Sequence, residues 1–305
     1  MTRSIVWAGA ADATVPTSTY KVTWSRPGHF TALRTVQRRS GRRKALLRTT
    51  GSVSVVTAKP FSERKREVPA DFDVVAGTYD TLVQRNPGYV EHLELSAERL
   101  GLAGHGAGMR ILDLCCGTGL STAGVLRAYP EATIVGLDAS VGMLDQARSK
   151  PMFRSAPNVS FLHGDAMDPG ATLGDEPFDA IVMAYGIRNM ADPDLCLDRL
   201  MPLLKPGAPI CFHEYSVRDS PRAIGTWTSV CWGIIIPAGF ITSRHTRIYR
   251  YLWRSVLQFD GVKAFEGRLM RHGFADVRTE PVVGRARFDF WQDGVVHSFL
   301  ARRPA

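Results

Sequence analysis

The 305-residue chain has few cysteines and no arrangement of them that carries chemistry. Cys115, Cys116, Cys196, Cys211 and Cys231 form no C-x-x-C pair and no His/Cys ligand spacing. That excludes a disulfide scaffold, argues against any metal centre, and reads as buried thiols in a reducing compartment. No charge-free run reaches the roughly 18 to 20 apolar residues of a spanning helix. No apolar core follows Arg3, so a secretory signal is not expected and the cytoplasm is the expected location. Acids are scarce in the first 70 residues, where 14 Lys or Arg stand against Asp12, Glu63 and Glu67. Beyond them 24 bases meet 26 acids, so the formal charge of +9 resides in the leader. A uniformly basic nucleic-acid binder is disfavoured.

What is present divides the chain in two. Residues 1–68 are rich in Ser, Thr and Arg and show no sustained helical or strand period, with Arg38, Arg39, Arg42, Arg43, Lys44 and Arg48 as the densest charge block. The composition fits an unstructured leader, as translation from upstream of a true start at Val53, Val55 or Val56 would produce. It fits a transit peptide and a nucleic-acid- or lipid-binding arm as well. From residue 69 to 305 the chain reads as one folded domain, and 45% hydrophobic residues supply a core.

Phe72, Val75, Tyr79 and Leu82 fall at helical spacing, and a second helix is predicted over Val90 to Leu100. Strand and helix then alternate. Strands are predicted at Arg110–Leu114, Ala132–Asp138, Val159–His163, Phe178–Ala184 and Pro209–Tyr215, with helices at Leu120–Tyr129, Val141–Lys150 and Pro193–Leu204 between them. After a helical, aromatic-rich insertion at 222–260 come a helix at Val262–His272 and two strands, Asp276–Val283 and Gly294–Arg302, expected as an antiparallel edge pair. The expected fold is α/β: a doubly wound, mostly parallel seven-stranded sheet, Rossmann-like, with N-terminal helices and a helical lid insertion.

The loop after the first of these strands reads Asp113-Leu114-Cys115-Cys116-Gly117-Thr118-Gly119. A loop that approaches a ligand closely needs glycines. A dinucleotide-binding G-x-G-x-x-G would need a third glycine where Thr122 stands, and an acid beside the loop would repel a pyrophosphate. An acid suits an ammonium and a sulfonium, as in S-adenosylmethionine. Asp138 ends the next strand, where a carboxylate can accept two ribose hydroxyls, and Asp165 with Ala166 follows the third, placed for an adenine amino group. The cofactor-binding candidates that these residues give on their own are Asp113, Gly117, Gly119, Asp138 and Asp165.

These residues resemble the class I S-adenosylmethionine-dependent methyltransferases. Tyr185-Gly186-Ile187-Arg188-Asn189-Met190, His213-Glu214-Tyr215-Ser216 and the helix from Phe72 to Asp80 resemble the ubiquinone/menaquinone-biosynthesis C-methyltransferases over residues 70–303. The resemblance implies cofactor contacts at Thr118, Asp138, Asp165, Ala166 and Ala184, and a lipophilic quinone-like substrate. Methylation of another phenolic or lipid molecule is the alternative. Nucleic-acid methylation ranks lower, because Ala184-Tyr185-Gly186-Ile187 stands where a (D/N)PP(Y/F/W) motif would be. The sequence departs from the family after Asp80, at Tyr251-Leu252-Trp253-Arg254-Ser255 and around Phe288-Asp289-Phe290-Trp291.

Carbon methylation of a hydroquinone needs a group that stabilises the phenolate. Arg188 is the candidate, with Glu214 orienting it or taking a proton, and Tyr79 as a lid residue. His213 is expected on the opposite strand face; the alternative readings are a purely structural Arg188–Glu214 ion pair and an Asn189 that only caps the next helix. The uncharged stretch Gly225–Ile241, followed by Arg244, Arg247, Arg250 and Arg254, fits a lid, a groove for a polyprenyl tail, or a peripheral membrane contact at the inner face. A homodimer is compatible with all of this.

Overall fold

The computed structural model describes residues 18–26, 29–36, 45–52, 64–83, 86, 88–243, 246–283 and 290–305. By its internal contacts the chain divides into Met1–Lys59 and Pro60–Ala305.

In the first unit, β1 (Ser18–Arg26), β2 (His29–Val36) and β3 (Ala45–Ser52) form an antiparallel meander. The register runs from Ser18↔Val36 to Arg26↔His29, with an irregularity after Trp24, and from His29↔Ser52 to Val36↔Ala45. This differs from the expectation of a leader without regular structure. The β-branched Thr and Val residues suit extended backbone, yet they do not alternate with polar residues strictly enough to show a period of two. The run Arg38–Lys44 and residues Val53, Val55 and Val56 lie outside the described residues.

The second unit opens with α1 (Val68–Val83) and α2 (Tyr89–Glu98). Its sheet comprises β4 (Arg110–Leu114), β5 (Thr133–Asp138), β6 (Val159–His163), β7 (Ala180–Ala184), β8 (Pro209–Tyr215), β9 (Ala275–Pro281) and β10 (Val296–Arg302). The order is β6-β5-β4-β7-β8-β10-β9. The first five of these pair in parallel, and β10 is antiparallel to both β8 and β9. The last two strands pair as expected, but β10 is inserted between β8 and the edge strand β9. Strand order reverses between β4 and β7, which opens a crevice at their carboxyl ends.

Alternation along the strands divides the core between two faces. Leu112, Leu114, Ile181, Met183 and Phe212 pack on one side with α5 (Pro193–Leu200) and α9 (Val262–Arg271). Ile111, Ile134, Val182 and Cys211 pack on the other with α2 and α3 (Leu120–Ala128). Truncating a fully buried side chain such as Phe212 to alanine would cost about 3–5 kcal/mol.

Helix starts follow capping chemistry. Ser140 caps α4 (Val141–Ser149), Asp192 caps α5 and Ser220 caps α6 (Pro221–Val230), each accepting from a backbone N–H three residues on. Each such cap contributes about 1 kcal/mol. The cap of α5 is Asp192, which corrects the reading of Asn189 as that cap. The α-helix stops at Leu200 and continues as a tighter turn, Met201–Leu203, because Pro202 has no N–H to donate. The insertion is α6, a π-helical turn at Cys231–Ile235, α7 (Ile236–Ser243) and α8 (Arg247–Gln258). With α1 it forms a separate apolar cluster around Trp227, Tyr249 and Val75.

Candidate functional site

The glycine loop takes its shape from backbone conformations that side chains resist. Cys115, Gly117 and Gly119 have φ of 62°, 54° and 80°. A β-carbon on Gly119 would lie 2.8 Å from the Phe153 ring, so glycine is required there on both counts. The loop turns over the end of β4 and delivers the chain into α3.

Beneath it, Asp113 is fully buried. Its Oδ2 accepts hydrogen bonds from Ser121 Oγ at 2.8 Å and Thr122 Oγ1 at 2.6 Å, while Oδ1 has no partner. Burial pushes the Asp113 carboxyl up to about 7, with the two hydroxyls pulling the other way. Asp113 thus fastens the loop to the start of α3 instead of facing the crevice.

The crevice is a cavity of about 790 Å³. Gly117, Thr118, Asp138, Asp165, Ala166, Ala184, Arg188 and Tyr79 line it, so eight of the eleven sequence-selected residues converge. Asp113 and Gly119 do not line it, and neither does Glu214, which stands behind Arg188.

Asp138 closes β5 with its Oδ2 accepting from Gly117 N and its Oδ1 from Ser140 N, both at 2.8 Å. Burial holds its carboxyl above the usual range, against these backbone bonds. Asp165 is exposed at the rim, with Oδ1 accepting from Met167 N at 2.8 Å. Thr118 Oγ1 donates to Asp80 Oδ1 at 2.5 Å, and Lys150 Nζ reaches both Asp80 Oδ2 and the Thr118 carbonyl at 2.6 Å. Helix α1 is thereby tied to the glycine loop.

On the other wall, Arg188 is 5% exposed. Its Nη1 donates to Glu214 Oε1 and to the Tyr185 carbonyl, each at 2.7 Å, and its Nε has no partner. Glu214 is fully buried; burial raises its carboxyl while the adjacent guanidinium lowers it. The Glu214 charge in turn raises Arg188 against burial, so the guanidinium stays cationic. Tyr185, at φ 56°, stacks between Tyr89 and Tyr215, with centroids 5.6 and 4.6 Å away.

His213 points to the opposite strand face from Glu214, as alternation requires. It lies between Ser96 Oγ at 2.6 Å and Tyr185 Oη at 2.8 Å. Burial depresses His213 to about 3, so it is neutral. Asn189 donates to the Tyr185 carbonyl at 3.0 Å and accepts from Tyr251 Oη at 3.1 Å. Burial raises the Tyr79 hydroxyl above its ordinary range. The departing residues Phe288 and Asp289 lie outside the described residues, as does Arg244.

The sequence reading missed Lys65, which lines the cavity and donates to the Met190 carbonyl at 2.9 Å. Burial, reinforced by the Arg188 charge, lowers its ammonium. Its placement in a charge-rich leader hid it. No motif or period in the sequence marks it.

The family model of the ubiE/COQ5 methyltransferase family matches residues 61–286. The chain is similar to the demethylmenaquinone methyltransferase of Clavibacter sepedonicus, 31% identical over 71% of this chain and 86% of that one. It is similar to the ubiquinone/menaquinone biosynthesis C-methyltransferase UbiE of Syntrophotalea carbinolica, 32% identical over 70% and 88%. In fold it matches the [4+2]-cyclase SpnF with a TM-score of 0.56 at 20% identity, over 79% of this chain and 96% of the other. It also matches Haemonchus contortus phosphoethanolamine N-methyltransferase 2, solved with S-adenosylmethionine. The TM-score there is 0.52 at 18% identity, over 86% and 63%.

Proposed function

Because the chain belongs to the ubiE/COQ5 methyltransferase family, we propose that it transfers a methyl group from S-adenosylmethionine to a ring carbon of an isoprenoid hydroquinone. The hydroquinone is of the demethylmenaquinone or ubiquinone-precursor type. The names of the relatives support the acceptor class, and one observation carries the chemistry. A buried cation, Arg188, lines the cavity, and a buried carboxylate backs it.

The cofactor side fits the residues present. A carboxylate oxygen has two lone pairs, so Asp138 retains one acceptor position on each oxygen after its two backbone bonds. That suits a ribose diol. The second oxygen of Asp165 suits an adenine amino group, and the φ of Gly117 brings loop backbone against the ligand. Thr118, Ala166 and Ala184 shape the remaining contact. When bound, S-adenosylmethionine supplies an electrophilic methyl on its sulfonium.

Arg188 holds the hydroquinone oxygen as a phenolate, which makes the adjacent ring carbon nucleophilic. Glu214 keeps the guanidinium in place and cationic, as a positioning residue. Tyr79 and Tyr89 form the wall that excludes water, and confinement of the two reactants contributes the alignment. The hydroquinone gives its phenolic proton to solvent as Arg188 takes the oxygen. The methyl–sulfur bond breaks as the ring carbon–methyl bond forms and the neutral thioether leaves. The ring proton then passes to solvent, which restores the aromatic ring.

The test is incubation of the full chain with S-adenosylmethionine and chemically reduced demethylmenaquinone, followed by mass analysis of the extracted quinones. The expected product carries one added methyl on the ring with both oxygens unmodified. An O-methyl product, or none from a protein that binds the cofactor, overturns the acceptor assignment.

A further inference from the structure

The insertion presents a surface that the methyl-transfer reading leaves unused. Along the continuous helical run Pro221–Ser243, Ala223, Trp227, Cys231, Ile236 and Gly239 face inward. The π-helical turn at Cys231–Ile235 adds one residue between Cys231 and Ile236, which keeps both on the buried side. The outward side is apolar in its second half: Trp232 is 48% exposed, Ile234 64% and Ile241 75%. The run is long and apolar enough to cross a membrane by length and composition. Its inner edge, however, packs on α1 and α8, so it lies along the domain and does not span.

Beside it, Arg250, Trp253, Arg254 and Leu257 form one stripe of α8 at i, i+3, i+4, i+7 spacing. Trp253 touches Trp232 edge-on, with centroids 5.6 Å apart, and donates from Nε1 to Thr228 Oγ1 at 3.3 Å. The exposed Arg250 and Arg254 therefore flank the apolar strip. Residues 216–258 hold six arginines and a single acid, Asp219. Arg247 is paired with Glu67 and Asp71, whereas Arg250 and Arg254 make no ion pair among the described residues.

We propose that this face, Trp232, Ile234 and Ile241 flanked by Arg250 and Arg254, docks the enzyme on an anionic lipid surface. An amphipathic helix lying in the interface inserts its apolar side among the acyl chains and pairs flanking cations with headgroups. The charge decides between a bilayer and a second copy of the chain. A two-fold contact would turn the same patch on itself and bring these arginines towards their own counterparts. Helix α7 packs on α1, whose Val68, Phe72 and Tyr79 line the cavity, so a docked enzyme holds its substrate wall next to the bilayer.

Sedimentation of the full chain with vesicles tests this, using phosphatidylcholine alone and phosphatidylcholine mixed with phosphatidylglycerol. Binding is expected to the anionic vesicles and to fall with added salt. Arg250→Gln and Arg254→Gln each weaken it about fivefold, the equivalent of about 1 kcal/mol per basic residue at such a surface. Ile234→Ser with Ile241→Ser weakens it about tenfold or more, while calorimetric binding of S-adenosylmethionine stays unchanged in every variant. Equal binding to both vesicle types, or to neither, overturns the proposal. So does a concentration-dependent dimer that Ile241→Ser dissolves. If the wild-type chain binds vesicles but not S-adenosylmethionine, the methyl-transfer reading falls and the docking surface stands.

Discussion

Arg188 and Glu214 meet through one guanidinium nitrogen and one carboxylate oxygen, 2.7 Å apart, and leave Arg188 Nε and Glu214 Oε2 unpaired in the interior. Arginine–carboxylate pairs are frequently bidentate, and this one is not. Here Arg188 Nε is left without a partner in the interior, in a residue that also lines the cavity. The strand end supplies the carboxylate and the turn after β7 supplies the guanidinium.

Arg188→Met is expected to lower kcat by roughly two to three orders of magnitude, the usual effect of removing one donor to a developing oxyanion. The Kd for S-adenosylmethionine should stay within about twofold. Breaking a buried pair from one side also costs about 3–5 kcal/mol, so the variant melts lower. Arg188→Lys retains charge and should recover stability better than turnover. Steady-state kinetics beside thermal melts checks this, and unchanged kcat in Arg188→Met would reject the phenolate role.

Asp138→Ala is expected to weaken S-adenosylmethionine binding by about tenfold to a hundredfold, the range for losing hydrogen bonds to a charged acceptor. Asp165→Ala should cost less, because that side chain is exposed and water competes for it. Isothermal calorimetry measures both. Unchanged affinity in Asp138→Ala would show that Asp138 serves only to hold Gly117 and Ser140.

Those two acids were legible in the sequence because strand ends in a doubly wound fold all point at one crevice, and Asp138 and Asp165 fall on such ends. Arg188 was legible from its motif. Asp113 was misjudged: it precedes the loop by four residues, but the buried carboxylate turns down to Ser121 and Thr122. Nothing in spacing distinguishes a side chain above a loop from one below it. Lys65 and the Tyr89–Tyr185–Tyr215 stack were invisible for a different reason. They come together through tertiary packing of α1, α2 and β8, and no local period encodes it.

Asp113 also gives the fold a pH signature. Its carboxyl is raised from 3.8 in the reference state to about 7 by burial. Between about pH 4 and pH 7 the folded chain therefore binds more protons at this site than the unfolded chain, and this site's contribution to stability falls as pH rises. Asp113→Asn removes the titration while keeping an acceptor for one hydroxyl. Denaturant midpoints at pH 5 and pH 7.5 should show wild type losing stability relative to Asp113→Asn across that interval. A constant difference would mean the carboxylate is already ionised at pH 5.

Helix α1 is held over the cavity by two acids one long turn-pair apart. Asp73 Oδ1 accepts from Ser140 Oγ at 2.5 Å and Gly142 N at 2.9 Å, at the start of α4. Asp80 takes Thr118 and Lys150 at the glycine loop. Between them Val75 and Ala76 are buried and Tyr79 lines the cavity, so the acids decide how firmly that wall sits against the cofactor loop. Neither acid lines the cavity. Their loss should therefore act through the mobility of α1 and not through a missing ligand contact. Asp80→Asn is expected to raise the KM for S-adenosylmethionine about threefold to tenfold, as one or two charge-assisted bonds weaken, with a smaller change in kcat. Asp73→Ala should act the same way and expose α1 to limited proteolysis. In wild type, S-adenosylmethionine should slow that cleavage, because a ligand that binds only the closed arrangement stabilises it. Cleavage at the same rate with and without the cofactor would show that α1 is fixed independently of the site it covers.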